Sequence, residues 1–148
     1  MGELTDFVAQ QPLDAALAEK LNRERGPASP QFRSIEKACR DAVADGWMCD
    51  REAGGIAYGR VLKPAPALHG FSVDVVDMRD VAGPHHTHPQ GEIDLVMPQD
   101  GAPRFDGHGA GWVVYGSGSA HRPTVTGGRA LVLYLLPAGA IEFTRAAA

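Results

Sequence analysis

The spacing of apolar residues changes between Gly46 and Gly54, and this change constrains the fold more than any other feature of the chain. Before it, Leu13, Leu17 and Leu21 recur at i, i+4 and i+8, the spacing of one helix face. Gly26-Pro27 ends that helix. Ser29 then reads as an N-cap with Pro30 in the first turn, followed by Phe32, Ile35, Cys39 and Ala42 and a terminating Gly46. After Gly54 the period is two. Strands are expected over Ile56 to Leu62, Phe71 to Met78, Glu92 to Met97, Gly111 to Gly116 and Ala130 to Leu136, with an edge strand in Ala140 to Thr144. Most of the 18 glycines and 11 prolines follow Gly46 and supply the turns. The expectation is a mainly β sandwich or small β-barrel with two N-terminal α-helices. It is read as one domain over residues 1–148, with a helical segment at 1–46 and the barrel at 54–145.

Composition narrows the function. A formal net charge of −4 leaves no basic patch, so nucleic acid is not an expected partner. No apolar run approaches the roughly 20 residues that cross a bilayer, so no membrane partner is expected. Met1 to Asp6 lacks the basic and apolar regions of a signal peptide, which reads as cytoplasmic. Cys39 and Cys49 are too few for a disulfide framework and read as small buried or half-buried residues. Ala130 to Leu136 is apolar on both faces, as in a strand between two layers. With the helical N-terminus, that leads us to expect a homodimer.

The chemistry concentrates in one window. Five of the six histidines lie between His85 and His121. His86 and His88 stand two apart, so on a strand they share a face. Glu92 follows four residues later, and His121 could join from a later strand. That set offers nitrogen and oxygen donors without thiolate, which suits Zn, Fe, Mn, Ni or Cu. Within Glu92 to Met97, Ile93, Leu95 and Met97 face one way and Glu92 and Asp94 the other. Two carboxylates on an inner face are costly unless they meet a metal, a cation or a polar ligand. A polar pocket inside the barrel is therefore expected, with the apolar face under the helices or a partner subunit.

Gly83-x2-His86-x-His88-x3-Glu92 resembles the first motif of the cupin superfamily, and Gly116-Ser117-Gly118-Ser119-Ala120-His121 resembles the second. The first glycine lies nearer the histidines than usual. Gly116 replaces a proline, and Val125 stands where an asparagine is often found. The resemblance implies a jelly-roll (double-stranded β-helix) barrel. It also implies a divalent metal ion (Fe, Mn, Zn or Ni, with the identity open) on His86, His88, Glu92 and His121. Gly83 to Pro89, Gly91 to Pro98 and Gly128 to Pro137 are further similar to the 4-hydroxylaminobenzoate lyase family. That family implies a lyase converting 4-hydroxylaminobenzoate to 3,4-dihydroxybenzoate with release of ammonia, in the breakdown of nitroaromatic compounds. The alternatives are a metal-dependent cupin dioxygenase acting on a small aromatic or thiol substrate, and a cupin that binds a small molecule without turnover.

Asp94 shares strand parity with Glu92, and the two are candidates for acid–base work. Tyr115 and Trp112 are candidates for stacking on an aromatic substrate. Arg60 and Arg104, with Arg122 and Arg129 behind them, are candidates for holding a substrate carboxylate.

Overall fold

The computed structural model describes residues 2–144. Three helices come first: α1 (Gly2–Ala9), α2 (Ala15–Arg25) and α3 (Pro30–Ala44). Nine strands follow: β1 (Arg51–Ala53), β2 (Ile56–Leu62), β3 (Phe71–Ala82), β4 (His86–His88), β5 (Glu92–Phe105), β6 (Gly111–Tyr115), β7 (Ser119–His121), β8 (Thr124–Pro137) and β9 (Glu142–Phe143).

The two expected helices form where their signals lie. The Asp14 carboxylate accepts from Leu17 N, and Ser29 Oγ accepts from Phe32 N with Pro30 in the first turn. Each side chain thus satisfies an amide that has no partner inside the helix. Gly46 takes the left-handed conformation after α3 (φ 84°). Helix α1 was not expected. It is held by tertiary burial of Leu4, Thr5 and Val8, because two turns are too short to stand alone.

The strands form two antiparallel sheets. The larger runs β1-β2-β3-β8-β5-β6 and the smaller β7-β4-β9. Strand parity divides the large sheet cleanly. Val73, Val75, Ile93, Leu95, Met97, Trp112, Leu131, Leu133 and Leu135 pack outward with the helices. Val96, Val113, Val132, Tyr134 and Leu136 pack inward. The small sheet lies against that inner face, bringing His86 and His121 to Glu92.

Strand β5 extends well beyond the Met97 expected. Pro98 still pairs with Ala130, and the register then shifts between Pro98 and Asp100, where a bulge accommodates a residue without an amide hydrogen. The bulge needs Gly128 (φ 150°), because a Cβ there would sit 2.1 Å from Asp100 O. Gly91 (φ 91°) sets the turn into Glu92, and a Cβ there would meet Leu13 and the Tyr115 carbonyl. Among the described residues, no helix is long and apolar enough to cross a membrane.

Candidate metal centre

The pairing of β4 with β7 sets His86 opposite His121 and His88 opposite Ser119. Glu92 opens β5, beneath them. The ligand atoms of His86, His88, Glu92 and His121 all lie within 4.8 Å of one another. His88 Nε2 is 3.2 Å from Glu92 Oε2, His121 Nε2 is 3.5 Å from the same oxygen, and His86 Nε2 is 3.6 Å from Oε1. His88, Glu92 and Asp94 are 0% exposed.

The surroundings fix which nitrogen of each ring faces inward. His86 Nδ1 meets the Pro84 carbonyl at 3.3 Å, an acceptor only. Ser119 Oγ donates its proton to Gly116 O, so it accepts from His88 Nδ1–H at 3.0 Å. His121 Nδ1 meets the Asp106 carboxylate at 2.5 Å. All three rings therefore carry a proton on Nδ1 and turn Nε2 toward Glu92. His86 Nε2 and His121 Nε2 stand 3.0 Å apart. Lone pairs and a carboxylate at that spacing repel unless a cation sits among them. Imidazoles steered through Nδ1 by carboxylate, hydroxyl and carbonyl are the arrangement that supports a divalent ion. The buried atoms left without a hydrogen bond agree: His88 Nε2, both Glu92 oxygens and both Asp94 oxygens. The donor set therefore fits a metal ion.

Without an ion, the cation in the cluster is a proton on His121. Burial pushes the pKa of His121 down, but the hydrogen bond to Asp106, the close contact with Glu92 and the charges of both more than reverse this, to about 9. A bound metal would displace that proton. Burial also raises Glu92, yet its close contacts with His121, His86 and His88 hold it well below the usual carboxylate range. Asp94 goes the other way. Burial first, and then the charge on Glu92, keep its carboxyl protonated well above that range.

His86 borders a cavity of about 760 Å³ shared with Tyr134, Met78, Tyr58, Arg60 and Phe143. This places the remaining sequence candidates. Tyr115 packs beside the cluster, its ring centroid 4.4 Å from His121 and 5.3 Å from His88, and its hydroxyl donates to Asp106. Arg60 lies at the cavity edge, donating to Asp74 Oδ1 and Gly139 O. Trp112 is a correction: it points to the opposite face, and its Nε1 donates to Arg25 O at the end of α2. Arg104 is a second correction. It is exposed near the tip of β5, donates to Gly107 O and does not border the cavity. Arg129 is engaged by both oxygens of Asp77, and Arg122 by Gly83 O.

Asp106 is a site residue that the sequence reading missed. It turns β5 back through Asp106-Gly107, with φ of 49° and 85°. Asp-Gly is a strong two-residue hairpin signal, but only the fold brings that carboxylate to His121. Tyr134 was missed as well. Its place on the inner face follows from the pairing of β8 between β3 and β5.

A family model described as PnbB: 4-hydroxylaminobenzoate lyase matches residues 1–143. The chain belongs to the 4-hydroxylaminobenzoate lyase family. A 4-hydroxylaminobenzoate lyase of Pseudomonas putida is 31% identical over 163 aligned residues, which cover 97% of this chain and 93% of the relative. One from Nocardioides sp. (strain LMS-CY) is 34% identical over 136 residues, covering 86% and 80%. Membership makes this chain an enzyme of a lyase family, as its sequence resemblance implied. The DMSP lyase DddQ from Ruegeria pomeroyi DSS-3 superposes with a TM-score of 0.53 at 18% identity, over 90% of this chain and 79% of that one. At that identity the likeness concerns the fold alone. The architecture is the mainly β cupin type.

Proposed function

We propose that this lyase converts 4-hydroxylaminobenzoate and one net water into 3,4-dihydroxybenzoate and ammonia. The observation that carries the reading is the convergence of His86, His88, Glu92 and His121, their ligand atoms within 4.8 Å of one another, beside the fully buried carboxyl of Asp94. The substrate is what remains when a nitrobenzoate gains four electrons, which places the reaction in the breakdown of nitroaromatic compounds.

The bond changes balance without an external oxidant. The N–O bond breaks, its electron pair goes to oxygen, and the oxygen leaves as water after taking a proton. Water then adds to the ring carbon beside the nitrogen. A second water hydrolyses the C=N bond, ammonia departs, and the ring regains aromaticity by losing a proton. Two waters enter and one leaves.

The metal ion that His86, His88, Glu92 and His121 would hold supplies Lewis acidity toward a substrate oxygen. The Asp94 carboxyl donates the proton that the leaving oxygen takes. As a carboxylate beside Glu92 it is then a strong enough base to take a proton from the incoming water. Tyr115, fixed by Asp106, packs on the rings of His88 and His121 and holds them in place. Arg60, which lines the cavity edge while paired with Asp74, is the guanidinium that would meet the substrate carboxylate by exchanging that partner. A cavity of about 760 Å³ admits a benzoate-sized molecule.

Turnover in ¹⁸O-labelled water tests the sequence of steps. The expected product is 3,4-dihydroxybenzoate carrying two solvent oxygens on the ring. A product carrying oxygen from O₂ would overturn the reading and favour the dioxygenase.

A further inference from the structure

Across the inner face of the large sheet, Arg60, Asp74, Tyr134 and Asp94 stand in one row. Arg60 pairs with Asp74, Asp74 with Tyr134, and Tyr134 with Asp94. Paired residues on neighbouring strands share a face, about 4.8 Å apart. Tyr134 joins the buried carboxyls to the cavity. It is 6% exposed and borders the cavity together with His86. Glu92 and Asp94 are fully enclosed.

Its phenol is also unspent. The ring is fixed by a tilted contact with Phe105, 6.4 Å between centroids. Among the described residues nothing hydrogen-bonds its hydroxyl. The hydroxyl of Tyr115, by contrast, is committed to Asp106. A hydroxyl at a cavity wall with no protein partner is placed to meet a ligand. Burial pushes its pKa well above the usual phenol value. It therefore keeps its proton and acts as a donor.

We propose that Tyr134 donates its phenolic O–H to the N–OH oxygen of the arylhydroxylamine and holds that oxygen as the N–O bond breaks. This rests on the reaction proposed above. Tyr134 transfers no proton. It hydrogen-bonds the oxygen as the electron pair arrives, and the leaving water takes its last proton from the acid of the reaction proposed above. Donors aimed at a developing oxyanion act most strongly in the transition state.

Two non-reacting analogues isolate the contact. In 4-(hydroxymethyl)benzoate a CH₂ replaces the nitrogen and the hydroxyl remains, whereas 4-ethylbenzoate has a methyl in its place. Both are titrated into metal-loaded wild-type protein and Tyr134→Phe. The substitution is expected to weaken 4-(hydroxymethyl)benzoate about 5–10-fold, the size of one hydrogen bond, and to leave 4-ethylbenzoate within about twofold. It should also lower kcat for 4-hydroxylaminobenzoate about 10²-fold with a smaller change in KM. The ratio of the two affinities is internal to each preparation, so partial unfolding does not mimic the result. Equal weakening of both analogues, weakening of neither, or no binding of either to wild-type protein would overturn the assignment. Wild-type protein that binds the pair as expected but forms no ammonia from 4-hydroxylaminobenzoate would overturn the reaction and leave the hydroxyl contact standing.

Discussion

Asp106 accepts a hydrogen bond from His121 Nδ1 at 2.5 Å, and this contact decides which nitrogen of His121 faces Glu92. The same carboxylate accepts from the Tyr115 hydroxyl and the Thr124 amide. Asp106→Ala should therefore weaken metal binding about 10–100-fold, the usual cost of losing a partner that orients a ligand. Competition with a chelator measures it. Unchanged affinity would show that His121 is oriented by other contacts.

Glu92 is the one carboxylate among the four candidate ligands, and it is fully buried. Glu92→Gln keeps the shape and removes the charge. Elemental analysis should find about one ion per wild-type chain and far less in the variant. Chelation should abolish wild-type activity, and adding a divalent ion back should restore it. Full activity of metal-free protein would contradict this role for the cluster.

Asp94→Asn removes the proposed proton carrier without touching a ligand. Activity should fall about 10²-fold or more, the scale of general acid–base catalysis, while metal content stays at the wild-type level. Stability should stay near wild type, because one buried polar group without a partner replaces another of the same shape. Thermal unfolding and elemental analysis separate the two effects.

Much of this site was legible in the sequence because β-strand parity is rigid. Glu92 and Asp94 had to face away from Ile93, Leu95 and Met97, and they do. Parity also bears on Trp112, one of the two candidates that failed. Trp112 and Tyr115 stand three apart on one strand and so face opposite ways, one toward α2 and the other toward His121. What the sequence could not convey is long-range register. Asp106 reaches His121 only because β5 turns at Asp106-Gly107, and Tyr134 faces Asp94 only because β8 lies between β3 and β5. Helix α1 escaped notice because so short a segment carries few apolar positions and depends on what it packs against.

Trp112 Nε1 donates to Arg25 O at 2.9 Å, docking the end of α2 on the sheet. Trp112→Phe should cost about 1–3 kcal/mol by leaving that carbonyl without its donor, with kcat near wild type. Chemical denaturation with parallel kinetics tests it. A large loss of kcat in a stable variant would return Trp112 to the site.

Alkaline stability should report the two thiols. Burial pushes Cys39 to about 11, and burial followed by the charge on Asp77 pushes Cys49 to about 12, from 9.0. Above pH 9 the unfolded chain releases thiol protons that the folded chain retains. Their contribution is therefore complete below pH 9 and is lost as pH rises toward 11 and 12. Denaturation of wild type and Cys39→Ala across this range should show a shallower decline in the variant. Identical slopes would contradict the shift.

The central claim is a lyase reaction run from this centre without dioxygen. Metal-assayed protein should be given 4-hydroxylaminobenzoate under argon, with ammonia and 3,4-dihydroxybenzoate quantified together. The account predicts equal amounts of the two products at a rate unaffected by oxygen. Ammonia without the dihydroxy product, neither product, or turnover only when oxygen is admitted would contradict it.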